Sequence, residues 1–166
     1  MSRKCRIVKK FTFLVIPALA VLSACDEGLQ PVPFQGVSGR VAFLGEVPDS
    51  TDWVRVAAFL DLPQTELDLL GFSAISNELS LPNDSTPYVL GLDTGVYRWL
   101  PIVWKRSGAA LTPDALRILG WYTDGAGPFE PPQTLLVREE TETTNADMIA
   151  DFENALTVEE ALEAIK

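Results

Sequence analysis

Histidine is absent from this chain, and only two cysteines occur, Cys5 and Cys25. The first gap excludes Ser–His and Cys–His nucleophiles and zinc sites built on imidazole. Phosphate-cradling loops are missing as well: "TDGAGP", Thr123 to Pro128, has no following lysine or helix and reads as a turn. No Asp-x-Asp-x-Asp-Gly calcium loop occurs, although Asp49–Asp52 and Asn83–Ser85 could supply a few oxygens. The chain has no internal repeat and no low-complexity tract. Cations are scarce, with 13 Lys or Arg against 23 Asp or Glu and a net charge of −10. An acidic surface repels phosphate backbones, so nucleic acid is excluded as a partner class.

What is present begins with a leader. Arg3, Lys4, Arg6, Lys9 and Lys10 form a basic start, followed by the apolar run Phe11 to Leu22. That run falls short of the roughly twenty residues a helix needs to span a bilayer, and so reads as the core of a signal peptide, residues 1–24. Leu22-Ser23-Ala24-Cys25 resembles the bacterial lipobox, in which a peptidase cuts before a lipid-modified cysteine. The resemblance implies that Leu22, Ser23 and Ala24 are read by the peptidase. It also implies that Cys25 carries diacylglycerol and an N-acyl chain, with no other cofactor. Two or more chains anchor a protein stably where one does not. Cys5 then leaves with the leader, and the mature chain has neither a free thiol nor a disulfide. Cleavage also removes five cations, leaving eight against 23 acids, a net of −15. Residues 25–36 read as the lipidated cysteine and a short extended spacer, rich in Pro and Gly.

From residue 37 the pattern is that of strands. Val37, Gly39, Val41 and Phe43 alternate with Ser38, Arg40 and Ala42. Trp53 to Leu60 repeats the period, with Val54, Val56, Ala58 and Leu60 on one face. Tyr88 to Leu92, the turn Asp93-Thr94-Gly95 and the return from Val96 predict a hairpin. Pro101 predicts an edge or a bulge in the returning strand. "LRILGWYT", "TLLVRE" and "ADMIADF" are further strands, whereas Gln64 to Phe72 fits a short helix or an irregular connection. Thr157 and Glu160 form a capping box that opens a terminal helix within 156–166. The expectation is an all-β, two-sheet antiparallel β-sandwich of immunoglobulin-like or transthyretin-like type over residues 37–155, closed by a short C-terminal helix.

Gly39-Arg40-Val41, Gly45-Glu46-Val47-Pro48, Tyr88-Val89-Leu90 and Gly95-Val96-Tyr97 occur in that order. In this the chain resembles the transthyretin-like, carboxypeptidase-regulatory-like β-sandwich domains of secreted bacterial proteins. The resemblance implies an accessory or structural domain without a chemistry of its own. The 61–87 and 106–134 stretches depart from it and leave strand number and order open.

Carboxylates are the remaining catalytic resource, since a glycosidase needs only two, about 5 to 9.5 Å apart. Asp147 and Asp151 share one face of a strand, and Glu139, Glu140 and Glu142 sit in a polar turn; surface acid is the simpler reading of both. Lys105, beside Arg106, reads as part of a solvated face. Aromatic side chains leave two readings open. Trp53, Trp99, Trp104, Trp121, Tyr88, Tyr97, Tyr122 and Phe129 suit either core packing or a sugar-stacking surface. Tyr97, Trp99 and Trp121 are the candidate glycan platform, with Tyr97 and Trp99 on one strand face. Tyr97 is alternatively expected to hydrogen-bond backbone near its turn. No residue is assigned a catalytic or metal-binding role. The expected function is a lipid-anchored cell-envelope protein facing periplasm or cell surface, a non-catalytic interaction or structural module. Its expected partners are the membrane, through the lipid, and an envelope protein or glycan. Carbohydrate binding through surface aromatics is the alternative, and a carboxylate-based hydrolase ranks third.

Overall fold

A computed structural model describes residues 34–81, 83–125 and 127–166. The expected signal peptide, Leu22, Ser23, Ala24, the lipidation site Cys25 and the spacer up to residue 33 lie outside the described residues. Gln35 is already fastened to the domain, its side chain donating to Leu92 O at 3.0 Å and accepting from Glu140 N at 3.0 Å.

Ten strands, two 3₁₀ helices and a short terminal α-helix are the regular elements among the described residues. Strand β1 (Gly36–Leu44) turns Val37 and Val41 inward and leaves Arg40 and Ala42 exposed, the expected period of two. It pairs antiparallel with β4 (Ser85–Gly91) and parallel with β9 (Glu142–Thr143) and β10 (Met148–Asp151). The expectation of antiparallel pairing throughout is therefore corrected: the last strands return beside β1 in its own direction. Between them Asn145 adopts φ 61°, and Ala146 N donates to Ser38 O at 3.1 Å.

The second sheet is antiparallel in the order β3 (Ala74–Ile75), β2 (Thr51–Ala58), β6 (Pro101–Arg106), β7 (Leu116–Trp121). Pro101 is the first residue of β6, where no ladder donor is missed, and the register shifts just beyond it, at Ile102/Val103. Gly120 accommodates the irregularity on the facing strand. Its φ is +149°, and a Cβ there would stand 2.3 Å from Ile149 O.

A third, two-stranded sheet joins β5 (Gly95–Tyr97) to β8 (Leu135–Val137). The expected hairpin is corrected by it: β4 and β5 do not pair, and Asp93–Gly95 carries the chain from one sheet to another. A local alternation on both sides of a turn marks two strands, but it does not say that they are partners. The Gln64–Phe72 segment holds the 3₁₀ helix Glu66–Gly71, whose start is tied by Asp68 Oδ2 accepting from Gln64 N and Thr65 N at 2.9 and 2.8 Å. Those two donors hold the Asp68 carboxyl below its usual range.

Two buried clusters follow from this layout. Val37, Val41, Tyr88 and Leu90 from the first sheet meet Val54, Val56, Ile102 and Leu119 from the second, together with Tyr97 and Val137. The opposite face of the second sheet carries its own cluster, Ala57, Phe59, Val103, Ile118 and Trp121 among them. Helix α1 (Val158–Ala164) is capped as its sequence predicts, the Thr157 hydroxyl accepting from Glu160 N while Glu160 Oε2 accepts from Thr157 N. A helix this short is marginal alone, and it persists by burying Val158, Ala161 and Leu162 on that outer cluster.

Candidate functional site

Because side chains alternate along a strand, the residues of β2 that do not enter the inter-sheet core face outward together. Trp53, Arg55 and Ala57 form such a row. Ile75 of β3, Val103 of β6, and Leu116 and Ile118 of β7 continue the same face across the sheet. Leu69, Leu70 and Phe72, together with Leu111 of the β6–β7 connection, complete the lining. Between them lies a cavity of about 330 Å³. It falls within the range of small-ligand sites, roughly 300–1,000 Å³. Leu70, Phe72 and Leu111 of this lining remain exposed, an apolar surface that a folded protein seldom leaves without use.

The lining contains no acid and a single cation, Arg55. Its guanidinium carbon stands 5.3 Å from the centre of the Trp53 indole ring. Stacking of this kind offsets part of the charge but supplies no acceptor for the N–H groups. Arg55 Nε is buried and has no hydrogen-bond partner among the described residues. A buried donor of this kind is uncommon in a native fold and calls for a physical explanation. Chemically, the arrangement can enclose an apolar group and present one fixed positive charge to it. It offers no nucleophile, general base or metal ligand.

The sequence-derived candidates take other places. Tyr97, Trp99 and Trp121 are 2%, 0% and 1% exposed. None offers a ring face to a sugar, so the glycan platform is corrected: these rings are core. Tyr97 and Trp99 do not share a face either. Tyr97 ends β5 and packs between the sheets, whereas Trp99 bridges to Phe59 and belongs to the outer cluster. There Trp99 lies 6.1 Å from Trp121, and Trp121 packs edge-on against Phe129 at 5.3 Å. The alternative reading of Tyr97 holds, since its hydroxyl donates to Asp93 O at 3.1 Å. Tyr122 packs against the inter-sheet cluster, on the other side of the sheet from its neighbour Trp121.

The carboxylates have structural partners too. Asp147 Oδ1 accepts from Arg40 N at 2.8 Å, tying β1 to the approach of β10. Asp151 accepts from Glu153 N, Asn154 N and the Asn154 amide at 2.8–3.1 Å. Lys105 is not on a solvated face: it is 8% exposed, with Nζ 2.6 Å from Asp52 Oδ2. Among the described residues no group of three or more acidic, histidine or cysteine side chains is placed to hold a metal ion. No described helix is long and apolar enough to cross a membrane. Compared with known proteins, the chain matches no family model, no curated protein and no solved structure.

The cavity itself was missed at the sequence level. Its signal was available in Trp53, Arg55 and Ala57, the half of the β2 alternation opposite Val54, Val56 and Ala58. An outward row of that composition on a strand asks what covers it.

Proposed function

We propose that this chain is a lipid-anchored cell-envelope protein, non-catalytic, whose β-sandwich binds an apolar ligand in the cavity on its outer sheet. The single observation that carries the binding role is that apolar cavity, lined in part by exposed Leu70, Phe72 and Leu111. Supporting the sandwich is the inter-sheet cluster to which both large sheets contribute. The transthyretin-like, carboxypeptidase-regulatory-like assignment rests on the Gly39–Val41, Gly45–Pro48, Tyr88–Leu90 and Gly95–Tyr97 motifs. The anchor rests on Leu22-Ser23-Ala24-Cys25. In this reading the Cys25 lipid tethers the domain to the membrane, facing periplasm or cell surface, and the spacer gives it reach.

Both halves can be tested on the full chain. Cys25→Ser should move the protein out of the detergent phase, and unchanged partitioning would remove the anchor. For the site, a photoreactive decanol bearing a diazirine should crosslink within 53–59 and 69–75 in neutral-detergent micelles. Ala57→Leu, which fills the cavity floor, should cut that labelling severalfold at unchanged helix and strand content. Labelling spread evenly over the surface would end the binding proposal.

A further inference from the structure

The charge at the cavity narrows what it takes. Every other feature of the lining is apolar, so a neutral hydrocarbon would gain from burial alone and leave Arg55 as it is. Burying part of a guanidinium with no acceptor is costly. The chain carries 23 carboxylates, yet neither ion pair among the described residues involves Arg55, and no acid reaches the lining. Of the other cations of the two large sheets, Lys105 meets Asp52, the Arg40 guanidinium donates to Ser85 Oγ at 2.7 Å, Arg117 donates to Asp114 O at 3.0 Å, and Arg106 is exposed to water. Among the sheet cations, Arg55 is the one with a buried guanidinium nitrogen that has no partner among the described residues.

We propose that the ligand is a single-chain amphiphile with a carboxylate head, its chain in the cavity and its head on Arg55. The inference rests on the binding role proposed above and specifies the ligand. Arg55 is half-buried as a whole, so a head paired with it keeps some access to water. Guanidinium is the side chain best matched to a carboxylate, with parallel N–H donors that engage both oxygens. The Trp53 ring lies beside the guanidinium, 5.3 Å from its carbon to the ring centre, and helps hold it at the cavity. A cavity of about 330 Å³ suits one short chain rather than an extended peptide running across the sheet. The acidic remainder of the molecule repels free anions in general, so selectivity falls on those whose apolar chain holds the head beside Arg55.

The test uses three diazirine probes with the same ten-carbon chain and different heads: decanoate, decanol and decyltrimethylammonium. Each is photolysed with the full chain in neutral-detergent micelles, and labelled peptides are mapped by mass spectrometry. At equal concentration, decanoate should label the cavity segments at least about tenfold more than decanol, and the ammonium probe should label them least. Arg55→Gln should bring decanoate down to the level of decanol without lowering decanol itself. Equal labelling by decanoate and decanol in the unaltered protein overturns the anionic head while leaving the apolar site standing. Labelling of the cavity by none of the three overturns both. Should Arg55→Gln fail to fold, the ammonium probe in the unaltered protein still decides: labelling equal to that by decanol overturns the proposal.

Discussion

The Tyr88 hydroxyl donates to the Ala146 carbonyl oxygen at 2.6 Å, with both residues buried. The bond joins β4 to the segment that enters β10, across the intervening β1. Gly39 of β1 lies against the same peptide: a Cβ there would stand 2.3 Å from Ala146 O and 2.5 Å from its carbonyl carbon. Tyr88→Phe should therefore cost about 1–2 kcal/mol, since it leaves the carbonyl without this donor. Gly39→Ala should cost more, because backbone rather than a flexible side chain has to move. Chemical denaturation of the two variants against the parent would check that order.

The same tyrosine makes a prediction about alkali. Burial, followed by the nearby Tyr122 and Asp147, raises the Tyr88 pKa well above its ordinary value near 10. The folded state then keeps a proton that the unfolded chain releases. This contribution is fully present below pH 10 and is lost as pH rises from there toward the folded value. Stability should fall above about pH 10, less steeply in Tyr88→Phe. Tyr97, also raised by burial first, should supply part of the residual slope.

Trp99 and Trp121 form a matched pair with one difference. Both are fully buried in the outer cluster, but Trp121 Nε1 donates to Glu130 O at 2.7 Å, while Trp99 Nε1 has no partner among the described residues. Replacement by Phe removes a similar ring volume from each. Trp121→Phe should be worse than Trp99→Phe by about 1 kcal/mol, the net worth of one hydrogen bond. Equal losses in thermal and denaturant melts would show that the Glu130 contact contributes nothing.

These aromatic positions also show where sequence reading stops. Period-two alternation located β1 and β2, short strand-like runs located β7, β8 and β10, and the Thr157–Glu160 box located α1, because those signals are local. Pairing is not local. Nothing within Tyr88–Tyr97 distinguishes a hairpin from two strands in different sheets, and nothing within Ala146–Phe152 announces parallel pairing to β1. Strand parity counted through Arg98 puts Trp99 on the face of Tyr97, but the chain changes sheets between β5 and β6. Arg55 gave no sign of isolation, since that depends on which acids the fold brings near it.

Asp151 should govern part of the response to acid. Burial pushes its pKa up, but the Asn154 amide and the N–H groups of Asn154 and Glu153 together outweigh that, and the net shift is downward. A lowered carboxylate contributes stability that is present above the unfolded value, about 3.9, and is lost as pH falls through the folded one. Asp151→Asn should therefore lose stability at neutral pH yet approach the parent below about pH 3. Parallel curves across that range would show that the turn holds without the charge.

Lys105 and Asp52 offer the sharpest asymmetry. The ammonium is nearly enclosed and the carboxylate is not, with side-chain exposures of 11% and 44%. Removing the acid leaves a desolvated cation, whose remaining contact is Arg106 O at 3.4 Å. Removing the cation leaves a carboxylate that water can reach. Replacing a buried charge by an apolar group of similar length is often neutral, whereas stranding its partner costs about 3–5 kcal/mol in a fully buried pair. Asp52→Ala should accordingly cost about 2 kcal/mol, the lower figure reflecting the access of water to this pair. Lys105→Met, which keeps the stem along β6, should stay within about 1 kcal/mol of the parent. The double variant should be no worse than Lys105→Met alone, because the charge that Asp52→Ala strands is then gone. A double-mutant cycle by denaturant titration measures all three, and additive losses would mean that the two side chains act independently.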